Sequence, residues 1–327
     1  MVNVTLIDRK SSALTTSSLR CLSQFPTLNM TAGCIHGCAY CYIRGYSQYP
    51  GDEAVAVYRN TADQVERELK RKRPGKRPLA VYFCPSSDAF MPLDEVLEQS
   101  YQTMRLLLSE GVGVQFVTKG AIPDRFIDLF AQYPQLVAGQ VGLTTLDEDL
   151  NAAIEPQAAA ANRRLADLGR LVKIGVTTSL RADPLIHGVT DDEVNLSSLF
   201  QAAAGQGIRD VSASYLFLRP AIIGSLRRNI RDPHLLHRIL APFEKSPRLT
   251  IRGAPSGGVT LLKAVRQAGL ERARAVADRH NLTLRICGCK NADLTSNRCH
   301  LINLATTAHP AKTAAEQLQL WPRNHLA

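Results

Sequence analysis

A chain of 327 residues, 45% hydrophobic and carrying a formal net charge of +10, can build one large core or one core with an appendage. No run approaches the roughly 18 uninterrupted apolar residues of a membrane-crossing helix, so no membrane partner is expected. The polar, serine-rich residues 1–20 lack the apolar centre of a secretion signal. In chain order, apolar runs at residues 25–30, 79–84, 112–118, 136–144, 171–179 and 210–218 read as strands. Helical patterns fall between them at residues 61–73, 94–109, 123–132, 158–169 and 191–205. Strands separated by helices predict βαβ units, an α/β fold with a parallel sheet, and chemistry at the C-terminal strand ends. The expected organisation is an N-terminal segment (1–20), a core (21–218) and a basic C-terminal extension (219–327).

The densest chemical signal is Cys34-Ile35-His36-Gly37-Cys38-Ala39-Tyr40-Cys41. Neighbouring thiolates repel, so three in so short a loop point to a metal centre. Three ligands leave one iron of a [4Fe–4S] cube without a protein ligand, and an open iron is a binding position. A tetrahedral zinc site completed elsewhere and uncoordinated cysteines are the alternatives. His36, between two of the cysteines, is read as a hydrogen-bonding loop residue. An oxygen-sensitive thiolate site belongs in reducing cytoplasm, the expected location.

Further on, Cys287-Gly288-Cys289-Lys290 is followed by Cys299-His300. The first reading of these three cysteines is a metal-binding extension with a second Fe–S cluster, completed by Cys21, His300, substrate or water. A Cys₃His zinc site with His300 and a redox-active thiol set are the other readings. Residues 219–285 hold 14 Lys/Arg against 4 Asp/Glu, the whole net charge of the chain. Such a surplus attracts polyphosphate or other anionic substrates, or is simply solvated helix surface.

The CxxxCxxC loop followed by Tyr42 resembles the cluster motif of the radical SAM enzymes. The marks after the later strands resemble the spore photoproduct lyase-like branch of that superfamily: Ser87-Asp88, Phe116-Val117-Thr118-Lys119, Glu155-Pro156, Arg164-Leu165, Ile174-Gly175-Val176 and Pro184-Leu185-Ile186. The likeness covers about residues 25 to 190. It implies a partial (β/α)₆ TIM-type barrel, with Cys34, Cys38 and Cys41 holding a [4Fe–4S] cluster that binds S-adenosylmethionine. It also implies Tyr42 against the adenine, Ser87 on the methionyl amino group, Lys119 on the methionyl carboxylate, and Thr144 or Thr145 on the ribose. Cys84, near the Ser-Asp step, is the implied hydrogen-atom donor to a product radical; it stands two residues before Ser86 and three before Ser87. Glu155 with Arg164 is read as a structural ion pair.

What the resemblance implies functionally is reductive cleavage of S-adenosylmethionine to a 5′-deoxyadenosyl radical that abstracts hydrogen from substrate. An electron donor such as flavodoxin or ferredoxin is then a required partner. The basic surplus makes the expected substrate anionic: a nucleotide, DNA or RNA. The alternatives are an auxiliary-cluster enzyme of natural-product or peptide modification and a non-catalytic Fe–S nucleic-acid-binding protein.

Overall fold

The computed structural model describes residues 2–18, 22–249 and 257–294. Seven of its strands run parallel in one sheet: β1 (Pro26–Leu28), β2 (Ala80–Phe83), β3 (Gly113–Thr118), β4 (Val137–Gly142), β5 (Thr177–Leu185), β6 (Asp210–Tyr215) and β7 (Thr283–Ile286). They neighbour one another in chain order, and Thr15–Thr16 adds antiparallel to β1 at one edge. Among the described residues the two edges do not pair, so the sheet is an open, partial barrel rather than a closed one. β2 and β4 are buried along their whole length, as strands covered on both faces must be.

The covering helices are α1 (Thr61–Lys70), α2 (Asp94–Ser109), α3 (Asp124–Gln132), α4 (Ala161–Lys173), α5 (Glu193–Gly205) and α6 (Lys263–Arg279). Each buries one stripe: Val65 and Leu69 of α1, and Val96, Ser100, Met104 and Leu107 of α2, recur at helical spacing. Phe90, Phe116, Phe126 and Phe130 pack edge-on or stacked between β3 and α3. A polar seam crosses three strands, where Gln140 Nε2 donates to Ser179 Oγ at 2.8 Å and Ser212 Oγ at 3.2 Å.

Two expected strands shift. The run at 171–179 begins inside α4, whose Leu168 and Leu171 are buried on the helix face that carries Arg164. Gly175, at φ +82°, ends the turn, and the strand starts only at Thr177. The run at 210–218 splits after Tyr215, and Phe217–Leu218 pairs antiparallel with Gly258–Thr260 in a small separate sheet. Part of residues 219–327 joins the main sheet, because β7 pairs in parallel register with β6. At the other end, Asn3–Ile7 pairs parallel with Ala54–Tyr58 in a third sheet that the apolar runs did not signal.

Candidate active site

The three-cysteine loop leaves β1 through two glycines in the left-handed region of backbone space. Gly33 has φ +87° and Gly37 φ +67°, and a Cβ on Gly33 would stand 2.7 Å from the Ala54 carbonyl oxygen. Ala39 N donates to Ile154 O at 2.8 Å and Cys41 N to Cys38 O at 3.1 Å, fixing the loop's curl. His36 bridges outward: Nδ1 lies 3.1 Å from Gln157 O and Nε2 3.1 Å from Asp88 Oδ2. Burial alone would depress the imidazole pKa, but the Asp88 carboxylate outweighs it and holds the value above the ordinary one. Asp88, itself buried, also accepts from Phe90 N, Thr118 Oγ1 and Lys119 N, each at 2.8 Å. It therefore ties the cysteine loop to the ends of β2 and β3.

Cys34, Cys38 and Cys41 face one cavity of about 640 Å³, together with Tyr42, Cys84, Ser87 and Lys119. Burial pushes all three thiol pKa values up, so the protein alone keeps them protonated. Three thiols on one cavity, in a setting that disfavours free thiolates, fit a cationic iron centre that supplies the missing positive charge. Among the described residues, no three His, Cys, Asp or Glu side chains are gathered tightly enough for a single metal ion.

Tyr42 donates its hydroxyl to Pro85 O and packs edge-on against Tyr46 with centroids 5.8 Å apart. Ser87 N donates to Cys84 O at 3.3 Å. Cys84 itself sits at φ +52°, a left-handed conformation that costs a non-glycine residue about 1 kcal/mol or more. Burial raises its thiol to about 12. Lys119 pairs through Nζ with Glu155 Oε1 at 2.9 Å, and Arg164 Nη1 pairs with Glu155 Oε2 at 2.5 Å. Tyr40 donates its hydroxyl to the same carboxylate. Burial opposes ionisation of Glu155, but Lys119 and Arg164 overcome it and hold the pKa at about 2.

Thr144 and Thr145 are not brought to the cavity. Both are buried outside its lining; Thr145 Oγ1 accepts from Asp147 N at 3.1 Å, and Thr144 Oγ1 has no hydrogen-bond partner among the described residues. Cys287 and Cys289, far away in sequence, do line the same cavity as Cys34, Cys38 and Cys41. Cys299, His300 and Cys21 lie outside the described residues. The strand-end reading also missed Gln140, Arg181, Asp183, Arg219 and Lys290 in the lining. Asp183 Oδ1 pairs with Lys290 Nζ and Oδ2 with Arg181 Nη2, both at 2.6 Å. These two cations hold Asp183 at about 2 against its burial.

Fold and site together define a partial-barrel protein with a three-cysteine loop opening on a cavity at its strand ends. The radical SAM superfamily model matches residues 28–198, and the chain belongs to that superfamily. It is an enzyme of that class, for which membership implies a [4Fe–4S] cluster and S-adenosylmethionine. The "Radical SAM Nalpha-GlyT isomerase" of Pseudomonas phage M6 is 28% identical over 202 residues, 60% of this chain, but the match spans only 41% of the phage protein. An uncharacterized Mycobacterium tuberculosis protein is 27% identical over 234 residues, 68% of each chain. Among solved structures, spore photoproduct lyase with bound AdoMet and dinucleoside spore photoproduct superposes with TM-score 0.66 at 14% identity, covering 86% of this chain and 81% of the lyase. Streptococcus suis SuiB bound to S-adenosylmethionine gives 0.51 at 12% identity, covering 81% and 53%. These two likenesses speak for the fold. Among the described residues no helix is long and apolar enough to cross a membrane.

Proposed function

We propose that Cys34, Cys38 and Cys41 hold the [4Fe–4S] cluster and that S-adenosylmethionine lies beside them in the cavity. The carrying observation is that the three thiols share one cavity with Tyr42, Ser87 and Lys119. When bound, cluster and S-adenosylmethionine supply a 5′-deoxyadenosyl radical that abstracts hydrogen from substrate. Lys119 answers the methionyl carboxylate, Ser87 the amino group, and Tyr42 offers an aromatic edge to the adenine. Glu155 holds the Lys119 ammonium in place until a ligand carboxylate competes for it. Thr144 and Thr145, outside the lining, receive no ligand contact in this proposal. In this reading Cys84, a neutral thiol in the cavity lining, returns a hydrogen atom to a product radical.

The substrate in this reading is an anionic, nucleotide- or nucleic-acid-type molecule. The lining carries Lys119, Arg181, Arg219 and Lys290 against Asp88 and Asp183, so cations outnumber anions. The dinucleoside ligand of the lyase structure supports the nucleotide reading. The placement of Cys287 and Cys289 on the same cavity favours a second reading, in which those cysteines hold an auxiliary Fe–S cluster acting directly on a natural-product or peptide substrate. The test is anaerobic reconstitution and reduction with dithionite. Formation of 5′-deoxyadenosine by the wild type and its loss in Cys38→Ala support the proposal; no deoxyadenosine from iron-loaded wild type sinks it. Salt-dependent binding of duplex DNA, against none, separates the two substrate readings.

A further inference from the structure

We infer that the exposed basic face of helix Pro220–Asn229 and the turn after it is the docking surface for an acidic one-electron carrier protein, an inference that rests on the radical reading above. Reductive cleavage consumes one electron per event, which no residue of this chain supplies. The carrier loses that electron, the cysteine-loop site gains it, and no bond forms between the two proteins.

The helix packs directly on the turn Tyr42–Gly45 that follows Cys41, where a Cβ on Gly45 would meet Ala221 Cβ at 3.6 Å. A short polar chain joins its surface to the cysteine loop. Arg228 Nη2 stands 3.4 Å from Asp52 Oδ2; Asp52 Oδ1 pairs with Arg44 Nε at 2.6 Å; and Arg44 Nη1 donates to the Cys38 carbonyl oxygen at 2.6 Å. A partner seated on Arg228 is thus separated from the backbone of a cysteine-loop residue by two side chains. Arg227, Arg231 and Arg238 are exposed beside it. Residues 220–249 hold six Lys/Arg against Asp232 and Glu244 alone, and Asp232 is engaged as the helix cap on His234 N at 2.9 Å.

Positive surface of this kind steers an acidic partner and sets its encounter rate. A nucleic acid would find the same charge, but residues 219–239 contain no Phe, Tyr or Trp on which a base stacks. Arg181 of β5 and Lys290 after β7 line the cavity itself, apart from this face. The observations therefore favour a protein carrier.

The test is calorimetric binding of flavodoxin to the iron-loaded protein, comparing wild type with Arg227→Glu/Arg231→Glu, which leaves the Arg228–Asp52 pair intact. Deoxyadenosine formation is followed in parallel with either reduced flavodoxin or dithionite. Expected is salt-sensitive flavodoxin binding that the variant weakens by about tenfold or more, a matching loss of flavodoxin-driven turnover, and dithionite-driven turnover within about twofold of wild type. The milder Arg227→Gln/Arg231→Gln covers the case in which the reversal prevents folding, and should show a smaller loss of the same kind. Equal flavodoxin binding by both proteins overturns the docking face, as does equal loss with both reductants. Loss of duplex-DNA binding with flavodoxin binding intact reassigns the face to nucleic acid and overturns the proposal. A wild type that yields no deoxyadenosine even with dithionite refutes the radical reading, and this inference with it.

Discussion

Glu155 shows how single residues divide between holding the site and working in it. Its carboxylate is shared by Lys119, Arg164 and Tyr40, so removing its charge leaves the buried Arg164 and the half-buried Lys119 without their common counter-charge. Glu155→Gln should destabilise the fold by on the order of 3 kcal/mol in urea melts. The folded pKa of about 2 lies below the ordinary 4.5, so the stabilisation is complete above about pH 4.5 and is lost as pH falls from there toward 2. Wild-type urea midpoints should fall through that window, and those of Glu155→Gln should fall less; parallel curves would refute the assignment. Lys119 is different, because it reaches the cavity as well as Glu155. Lys119→Met should keep the iron content and weaken S-adenosylmethionine binding about tenfold, the scale of one charge-assisted contact. Cys84, held near 12, is expected to resist iodoacetamide at pH 8 in the folded protein and to react once the chain is unfolded. Fast labelling of the folded protein would make it a nucleophile and weaken its case as a hydrogen-atom donor.

At the level of elements, the cysteine loop depends on backbone as much as on sulfur. Gly33→Ala must hold a Cβ at φ +87° and 2.7 Å from the Ala54 carbonyl oxygen. The cost should be about 1–2 kcal/mol or more, with a lower melting temperature and fewer irons retained on reconstitution. An unchanged iron content would show that the loop reshapes at little cost. The loop was legible in the sequence because its evidence is local: three cysteines, two glycines and an aromatic residue in one run. The placement of Ser87 and Lys119 on the cavity was legible for a related reason: Lys119 directly follows its apolar strand and Ser87 stands four residues beyond the end of Ala80–Phe83, both at strand ends that open on the cavity. Arg181, Asp183 and Lys290 were not. β5 carries Arg181, Asp183 and Pro184 within Thr177–Leu185, so half of it reads as loop. β7 is four residues long and becomes a strand only by pairing with β6, some seventy residues earlier. Thr144 and Thr145 show the converse: they follow β4 as expected, yet both are buried outside the cavity lining, and Thr145 Oγ1 accepts from Asp147 N ahead of the helix Glu148–Ile154.

Across the whole molecule, the sheet brings two distant cysteine groups to one cavity. β1 delivers Cys34, Cys38 and Cys41, while β7, at the opposite edge, delivers Cys287 and Cys289. Lys290, next in the chain, is fastened to Asp183 of β5 at 2.6 Å, so this segment is held across the strand ends by an ion pair. A cluster on the second group would therefore share its space with whatever substrate occupies the cavity, rather than serve as a remote electron relay. Iron and sulfide analysis with EPR, comparing wild type with Cys287→Ala/Cys289→Ala/Cys299→Ala, reads this directly. Two cubes predict roughly eight irons per chain falling to roughly four, with the signal of the remaining cube still altered by S-adenosylmethionine. A substrate that sits between the two groups should further perturb both signals in the wild type and only one in the variant. Four irons in both proteins would leave Cys287 and Cys289 as thiols facing the substrate. Their part would then be hydrogen or electron return beside Cys84, and the nucleotide reading would stand without an auxiliary cluster.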